Sequence, residues 1–134
     1  MERLKGKTAF ISGGARGLGA EMARLLHGEG ANVMVTDILE DEGHALANDH
    51  ENMTFMAHDV LQEDQWVATI GATKEAYGSL DVLVNNAGIA HNATTIEDTS
   101  YEQWRKVVGI DLDAVFLGCK HGVGLMKESS AGSI

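Results

Sequence analysis

The sequence contains no proline, only one cysteine, and few aromatic residues, which make up 5% of its 134 positions. Because Cys119 is alone, no disulfide can form within the chain, which suits a reducing compartment and predicts a cytoplasmic protein. No apolar run reaches the ~18 residues that a membrane span needs, and no signal-peptide-like stretch precedes the first predicted strand. The sequence therefore predicts no membrane association.

Basic residues are also scarce, since ten Lys and Arg stand against twenty Asp and Glu, for a net charge of −10. This charge repels polyanions and predicts no nucleic-acid partner, although a local array of N–H groups can still bind a small phosphate. The six histidines show no metal-ligand spacing, so they are interpreted as surface or ordinary polar residues and no metal site is predicted. The apolar fraction of 44% predicts one packed domain spanning residues 1–134.

Short apolar segments alternate with helical patterns along the chain. Strands are predicted within 7–12 and at 32–36, 53–57 and 81–85, and helices at 17–29, 40–48 and 62–77. This alternation predicts an α/β fold with a doubly wound parallel sheet of Rossmann type and strand order 3-2-1-4. The strands are nearly all apolar, as burial on both faces of a sheet requires.

Two further helices are predicted after the fourth strand. Thr99 followed by Glu102 fits a capping box that opens the first of them. The second is predicted over about 111–127, where Gly122 and Gly124 should each cost about 1 kcal/mol against Ala. Its expected buried stripe consists of Leu112, Val115, Phe116, Cys119, Val123 and Met126.

Three glycines, Gly13, Gly17 and Gly19, lie where the first apolar run becomes a helix. Ligands of a doubly wound sheet bind outside the carboxyl ends of its strands, which is where these glycines fall. Glycine allows a tight turn and close approach of the backbone to a pyrophosphate, and the helix that begins near Gly17 offers free N–H groups. The pattern favours a dinucleotide site, and a plain glycine-rich turn is the alternative.

The other three predicted strand ends carry ligand-compatible groups. Asp37, 18 residues after Gly19, could accept both hydroxyls of an adenosine ribose, or it could be a solvated loop acid. Asp59 could bind an adenine amine or cap the next helix. The NNAG segment at 85–88 could line the cleft, with Gly88 leaving room for a ring, or form an Asn-rich turn that ties strands together.

Together, the SGGARGLG segment, Asp37, the DV dipeptide at 59–60 and NNAG resemble the short-chain dehydrogenase/reductase family over about residues 4–134. The stretch WRKVVGIDLDAVFLGCKHGVGLMK is further similar to its hydroxysteroid dehydrogenase branch. The resemblance implies the N-terminal, cofactor-binding half of an NAD(H)-dependent oxidoreductase that acts on an alcohol or ketone. It also implies a sheet that these residues carry only to the start of a fifth strand.

The resemblance also assigns cofactor contacts residue by residue. Gly13, Arg16, Gly17, Leu18 and Gly19 would hold the pyrophosphate and nearby ribose, Asp37 and Ile38 the adenosine ribose, Asp59 and Val60 the adenine, and Asn86, Ala87 and Gly88 the region near the nicotinamide. Asp37 favours NAD, because the 2′-phosphate of NADP would meet a like charge. Arg16 favours NADP, but Asp37 has greater weight because it would contact the discriminating hydroxyl.

Family members use a Ser and a Tyr-x-x-x-Lys pair downstream of the fifth strand, and these 134 residues contain no such pair. Tyr101 precedes Arg105 at that spacing, but it follows the predicted capping box in a different element. Asp111 takes the position of the family's Asn, which helps to relay a proton, and a carboxylate cannot donate as an amide does. The alternative for Asp111 is a helix-start acid near the dipole.

No catalytic residue is therefore assigned within the chain, and the sequence leaves its own activity open. It could be the cofactor-binding part of an oxidoreductase or a non-catalytic NAD-binding module. It could also be a fragment that pairs with itself or with a complementing chain through an exposed sheet edge and an apolar helix surface.

Overall fold

A computed structural model describes residues 2–91, 94–129 and 132–134. Four strands are present, β1 (Thr8–Ser12), β2 (Asn32–Asp37), β3 (Met53–Ala57) and β4 (Val82–Val84). The helices are α1 (Gly17–Gly28), α2 (Glu40–Asn48), α3 (Glu63–Tyr77), α4 (Tyr101–Val108) and α5 (Ala114–Met126), with a π-helical turn at Gly109–Asp113 between the last two. Within the described ranges, no helix combines the length and apolar character that crossing a bilayer needs.

The strands form one parallel sheet in the order β3-β2-β1-β4, which confirms the predicted fold class and topology. All five residues of β1 are buried, because helices cover the central strand on both faces. Beyond β4, Ser133 makes an isolated parallel bridge to Val82. The sheet thus includes the first pairing of a fifth strand position.

Each face of the sheet has its own apolar core, because neighbouring strand residues point to opposite sides. Phe10 packs with Trp66 of α3 and with Leu125 and Met126 of α5 on one face. The next residue, Ile11, packs on the other face with residues of α1, α2, β2 and β3. The two layers hold the carboxyl ends of all four strands at one edge of the molecule.

The predicted buried stripe of the last helix is confirmed at Met126 and wrong at Leu112 and Phe116. Leu112 and Phe116 are both 64% exposed, and the buried positions are Ala114, Gly118, Gly122, Leu125 and Met126. The physical reason is close approach: a Cβ on Gly118 would lie 2.1 Å from Asn85 Oδ1, and one on Gly122 would lie 2.8 Å from Leu83 Cδ2. The helix therefore brings its backbone close to the β4 region at Gly118 and Gly122, and its large buried side chains, Leu125 and Met126, lie at its C-terminal end.

Two details of the helix starts also differ from the prediction. The capping box uses Ser100 and Gln103 in place of Thr99 and Glu102, with Gln103 N donating to Ser100 Oγ at 3.1 Å and Ser100 N donating to Gln103 Oε1 at 3.0 Å. Thr99 instead donates its hydroxyl to Thr95 O, which closes the preceding turn. No new helix begins at Asp111, because the π-helical turn continues α4 directly into α5.

Candidate cofactor site

The carboxyl ends of the four strands open into one cavity of about 350 Å³. Every residue assigned above to cofactor contacts lines it: Gly13, Arg16, Gly17, Leu18, Gly19, Asp37, Ile38, Asp59, Val60, Asn86, Ala87 and Gly88. Four lining residues were not predicted, namely Leu39, His58, Ile89 and Ile110. The sequence-based set is thus brought together in space, and its contacts with a cofactor stay a prediction.

The N-terminus of α1 borders this cavity and matches an anionic group. Arg16 is the N-cap, its side chain makes no capping hydrogen bond, and no acidic residue lies in the first turn. Gly17 has a φ of +56°, and a Cβ there would meet nothing within 4 Å, so the backbone faces open space. The free N–H groups and the positive end of the helix dipole therefore suit a phosphate.

The glycine loop is held in place by the residues that follow β4. Asn86 Nδ2 donates to Ser12 O at 3.0 Å and to Gly13 O at 2.8 Å. Ser12 Oγ accepts from Asn86 N at 3.1 Å and from Ala87 N at 3.2 Å. A Cβ on Gly19 would lie 2.3 Å from Gly13 O, so the loop tolerates only glycine there.

The Asn86 amide thus does what the alternative interpretation of NNAG described: it ties strand ends together. Sequence reasoning missed Ser12, which is 2% exposed and shares its hydroxyl between two backbone N–H groups. The sequence feature that could have identified Ser12 is its position as a polar residue directly after the apolar run of the first strand.

Asp37 is more than a solvated loop acid. Its Oδ2 accepts from Ala15 N at 3.0 Å, and its Oδ1 accepts from Leu39 N at 3.2 Å. These two bonds fix the carboxylate between the glycine loop and the end of β2 before any ligand arrives. Each carboxylate oxygen can accept more than one hydrogen bond, so the group keeps capacity for ribose hydroxyls.

Asp59 supports a turn before α3. Its Oδ1 accepts from Leu61 N at 3.0 Å, and its own N–H donates to Gln65 Oε1 at 2.7 Å. The N-cap of α3 is Gln62, so Asp59 is not the helix cap that the alternative interpretation described. A contact between Asp59 and adenine stays a prediction.

His58, interpreted from the sequence as a surface or ordinary polar residue, is buried, at 2% exposure. Its Nδ1 lies 2.9 Å from Thr36 Oγ1, and its ring packs edge-on against Trp66 with centroids 4.4 Å apart. Burial lowers the pKa of His58 to about 4. The sequence feature that could have placed His58 is its spacing from Thr54 and Met56. Residues two apart in a strand face the same side of the sheet, so His58 lies on the side that α3 covers.

No group of three or more His, Cys, Asp or Glu in the described part of the chain is placed to hold a metal ion. The chemistry of the cavity is that of a helix N-terminus, one fixed carboxylate and a backbone-lined cleft.

Comparison with known sequences agrees with this geometry. Residues 7–134 match the family described as short chain dehydrogenase. The chain belongs to the short-chain dehydrogenase/reductase family. The matched residues include the glycine loop, Asp37 and the NNAG segment.

Among its relatives in the short-chain dehydrogenase/reductase family is a 3-alpha-(or 20-beta)-hydroxysteroid dehydrogenase of Mycobacterium bovis, 46% identical over 98% of this chain and 51% of the relative. A trans-4-hydroxycyclohexanecarboxylate dehydrogenase of Sinomonas cyclohexanicum is 43% identical over 99% of the chain and 54% of the relative. An NADP-dependent (R)-specific alcohol dehydrogenase of Lentilactobacillus kefiri is 38% identical over 98% and 53%. The chain spans about half the length of these curated relatives.

Asp111 lies inside the π-helical turn and is exposed. Its Oδ1 accepts from Ile89 N at 2.9 Å, which ties the segment after NNAG to the helix. The helix-start interpretation of Asp111 is wrong, because α4 leads into the turn. A carboxylate oxygen accepts this bond as an amide oxygen would, and only the donor of an Asn is missing.

Proposed function

We propose that residues 1–134 form the dinucleotide-binding domain of an NAD(H)-dependent oxidoreductase that acts on an alcohol or ketone. The observation that carries the proposal is one cavity bordered by an α1 N-terminus without acidic residues and by the fixed carboxylate of Asp37. The nicotinamide ring of a bound cofactor supplies hydride transfer, which protein side chains do not provide. The chain spans about half the length of its curated relatives, so the activity belongs to the proposal for the whole protein.

In this proposal each strand end contacts or borders a different part of the dinucleotide. The α1 N-terminus at Gly17–Gly19 binds the diphosphate, and Asp37 with Ile38 binds the adenosine ribose. Asp59 and Val60 border the adenine. Ala87 and Gly88 leave room for the nicotinamide end, while Asn86 keeps the glycine loop in place through Ser12 O and Gly13 O.

We propose NAD as the preferred cofactor over NADP. The carboxylate of Asp37 would repel a 2′-phosphate, and its bonds to Ala15 and Leu39 prevent it from turning away. Arg16 opposes this preference, because its positively charged side chain lines the same cavity and would attract a 2′-phosphate. It is exposed and can remain in solvent, whereas Asp37 is held at the site where the 2′-hydroxyl would bind.

Calorimetric titration of the chain with NAD⁺ and NADP⁺ tests this preference. Asp37→Asn removes the charge, so we expect NAD⁺ affinity to fall by about 10-fold or more and NADP⁺ affinity to fall less or to rise. Asp41→Asn is the matched control, because it removes the same charge from an exposed position in α2 and should change neither affinity. Equal losses for both cofactors would show that Asp37 does not discriminate, and no heat with either cofactor would refute the cofactor site.

The substrate of the whole protein is proposed from the relatives. By name, they act on a hydroxysteroid, a hydroxycyclohexanecarboxylate and an alcohol. We therefore propose a secondary alcohol, or its ketone, on an apolar body.

A cytoplasmic location is proposed from Cys119 alone, because a single cysteine forms no intrachain disulfide.

A second candidate function is a non-catalytic NAD-binding module, or a fragment that pairs with itself or with a complementing chain. The helix surface favours pairing: α4 has no buried residue, and Trp104, Leu112 and Phe116 are 53%, 64% and 64% exposed. An alcohol oxidation assay of the purified chain tests the second candidate, because turnover would contradict a non-catalytic module. Binding of NAD⁺ without turnover is expected of a module and of a cofactor-binding domain alike, because the family's Tyr-x-x-x-Lys pair does not occur in these 134 residues.

A further inference from the structure

A second cavity, of about 400 Å³, lies next to the cofactor cavity. It is lined by Ile89, Ala90, His91, Gln103, Lys106 and Val107. Ile89 lines both cavities, so the two are neighbours at the end of β4. The volume falls within the range of small-molecule sites in proteins, roughly 300–1,000 Å³.

Both walls of this second cavity are anchored by hydrogen bonds. On one side, Ile89 N donates to Asp111 Oδ1 at 2.9 Å, which fixes the start of the Ile89–His91 segment. On the other side, the capping box between Ser100 and Gln103 fixes the first turn of α4. The cavity is therefore bounded by held backbone on both sides, as a ligand site requires.

The lining combines apolar walls with hydrogen-bond donors. Ile89, Ala90 and Val107 supply the apolar surface. Gln103 and Lys106 lie one turn apart on α4, and because the capping box uses Gln103 Oε1, the amide NH₂ is the group that can serve a ligand. Lys106 is a cation and only donates. Donors beside apolar walls suit a ligand with an apolar body and an oxygen acceptor, and a carboxylate is the strongest such acceptor.

We propose that the second cavity holds the part of the substrate remote from the reacting carbon, and that this part is an apolar ring or chain bearing a carboxylate near Gln103 and Lys106. The proposal rests on the oxidoreductase function proposed above, because it needs a cofactor in the neighbouring cavity. It narrows the substrate to hydroxy or keto acids with an apolar body. In a chain with a net charge of −10, Lys106 provides the local attraction that such an anion needs.

An NMR titration of the ¹⁵N-labelled chain with cyclohexanecarboxylate tests this proposal, and cyclohexanecarboxamide is the uncharged probe. We expect saturable shifts at the Ile89 and Ala90 amides and along Gln103–Val107. Lys106→Met should weaken binding of the carboxylate about fivefold and leave the carboxamide unchanged. Lys127→Met is the matched control, since Lys127 is also exposed and directly follows the C-terminal end of α5, and it should change neither affinity.

Three results would overturn the proposal: no saturable shift, shifts confined to other parts of the chain, or equal weakening by Lys106→Met and Lys127→Met. Titration with NAD⁺ is recorded on the same samples. Failure of NAD⁺ alone contradicts the proposed function, whereas normal NAD⁺ binding with no carboxylate binding contradicts only the assignment of the second cavity. Both substituted lysines are exposed, so retention of the wild-type spectrum by the free variants checks the fold.

Discussion

Asp37 ends β2 and Asn86 follows β4 at the same edge of the sheet, yet their side chains are used in different ways. The side-chain amide of Asn86 donates hydrogen bonds to Ser12 O and Gly13 O, so Asn86 supports the loop that a phosphate would contact. Asp37 accepts two backbone N–H groups and still has acceptor capacity. Polar residues at strand ends can therefore be found from the sequence, but whether each one supports or contacts a ligand depends on its partners in space.

His58 should make the stability of the chain depend on pH. Because its pKa is lowered from 6.5 to about 4 by burial, the unfolded chain takes up a proton in this range that the folded chain does not. The stability that a neutral His58 contributes is present above the unfolded pKa and is lost as pH falls toward the folded pKa. The loss should amount to about 2 kcal/mol, measurable by urea unfolding at about pH 7 and about pH 4.5.

The His58 effect is isolated by comparing variants, because carboxylates also titrate at the acid end. His58→Gln removes the titration and should flatten the decrease between the two pH values. His44→Gln, at an exposed position in α2, should retain the wild-type pH dependence. Equal pH dependence in wild type and His58→Gln would show that His58 does not carry it.

At the scale of elements, the alternation of apolar and helical patterns was sufficient to predict the parallel sheet and its order. The predicted stripe was wrong at Leu112 and Phe116 because periodicity counts large apolar side chains, whereas α5 approaches β4 through Gly118 and Gly122. Likewise, spacing indicates which face of the sheet His58 occupies and that Ser12 ends a strand, but it does not indicate how deeply either residue is buried. Their burial depends on which neighbours the fold brings to them.

The glycines of α5 give a direct test of this packing. A Cβ on Gly118 would lie 2.1 Å from Asn85 Oδ1 and 2.9 Å from Trp66 Cη2, so Gly118→Ala should destabilise the chain by about 1–3 kcal/mol. Gly124→Ala is the control in the same helix, because its Cβ would meet nothing within 4 Å. That variant should stabilise the chain by about 0.5–1 kcal/mol through helix propensity. Urea unfolding measures both, and similar changes for the two variants would contradict the close approach of α5.

At the scale of the whole molecule, an acidic surface carries an apolar stripe. This stripe, defined as Trp104, Leu112 and Phe116, lies on α4, the π-helical turn and α5 and is more than half exposed. Large exposed apolar side chains on consecutive helical elements indicate an interaction site. We expect the chain to self-associate as its concentration rises, which sedimentation velocity measures.

The stripe is tested by charge insertion. The double variant Leu112→Glu/Phe116→Glu should be monomeric at every concentration, with an unchanged helical circular dichroism spectrum. Val67→Glu is the control, since Val67 is 56% exposed on α3, which carries no residue of the stripe, and this variant should associate as the wild type does. A wild-type chain that stays monomeric throughout, or a Val67→Glu variant that also loses association, would contradict a role for the stripe.

A crystal structure of the chain grown with excess NAD⁺ tests most directly whether a dinucleotide binds at the mouth of α1. The expected result is a diphosphate against the backbone N–H groups of Gly17–Gly19, with the adenosine ribose hydroxyls hydrogen-bonded to the Asp37 carboxylate. A cavity that stays empty, or that side chains close, would contradict the cofactor site. A dinucleotide bound elsewhere on the chain would contradict it equally.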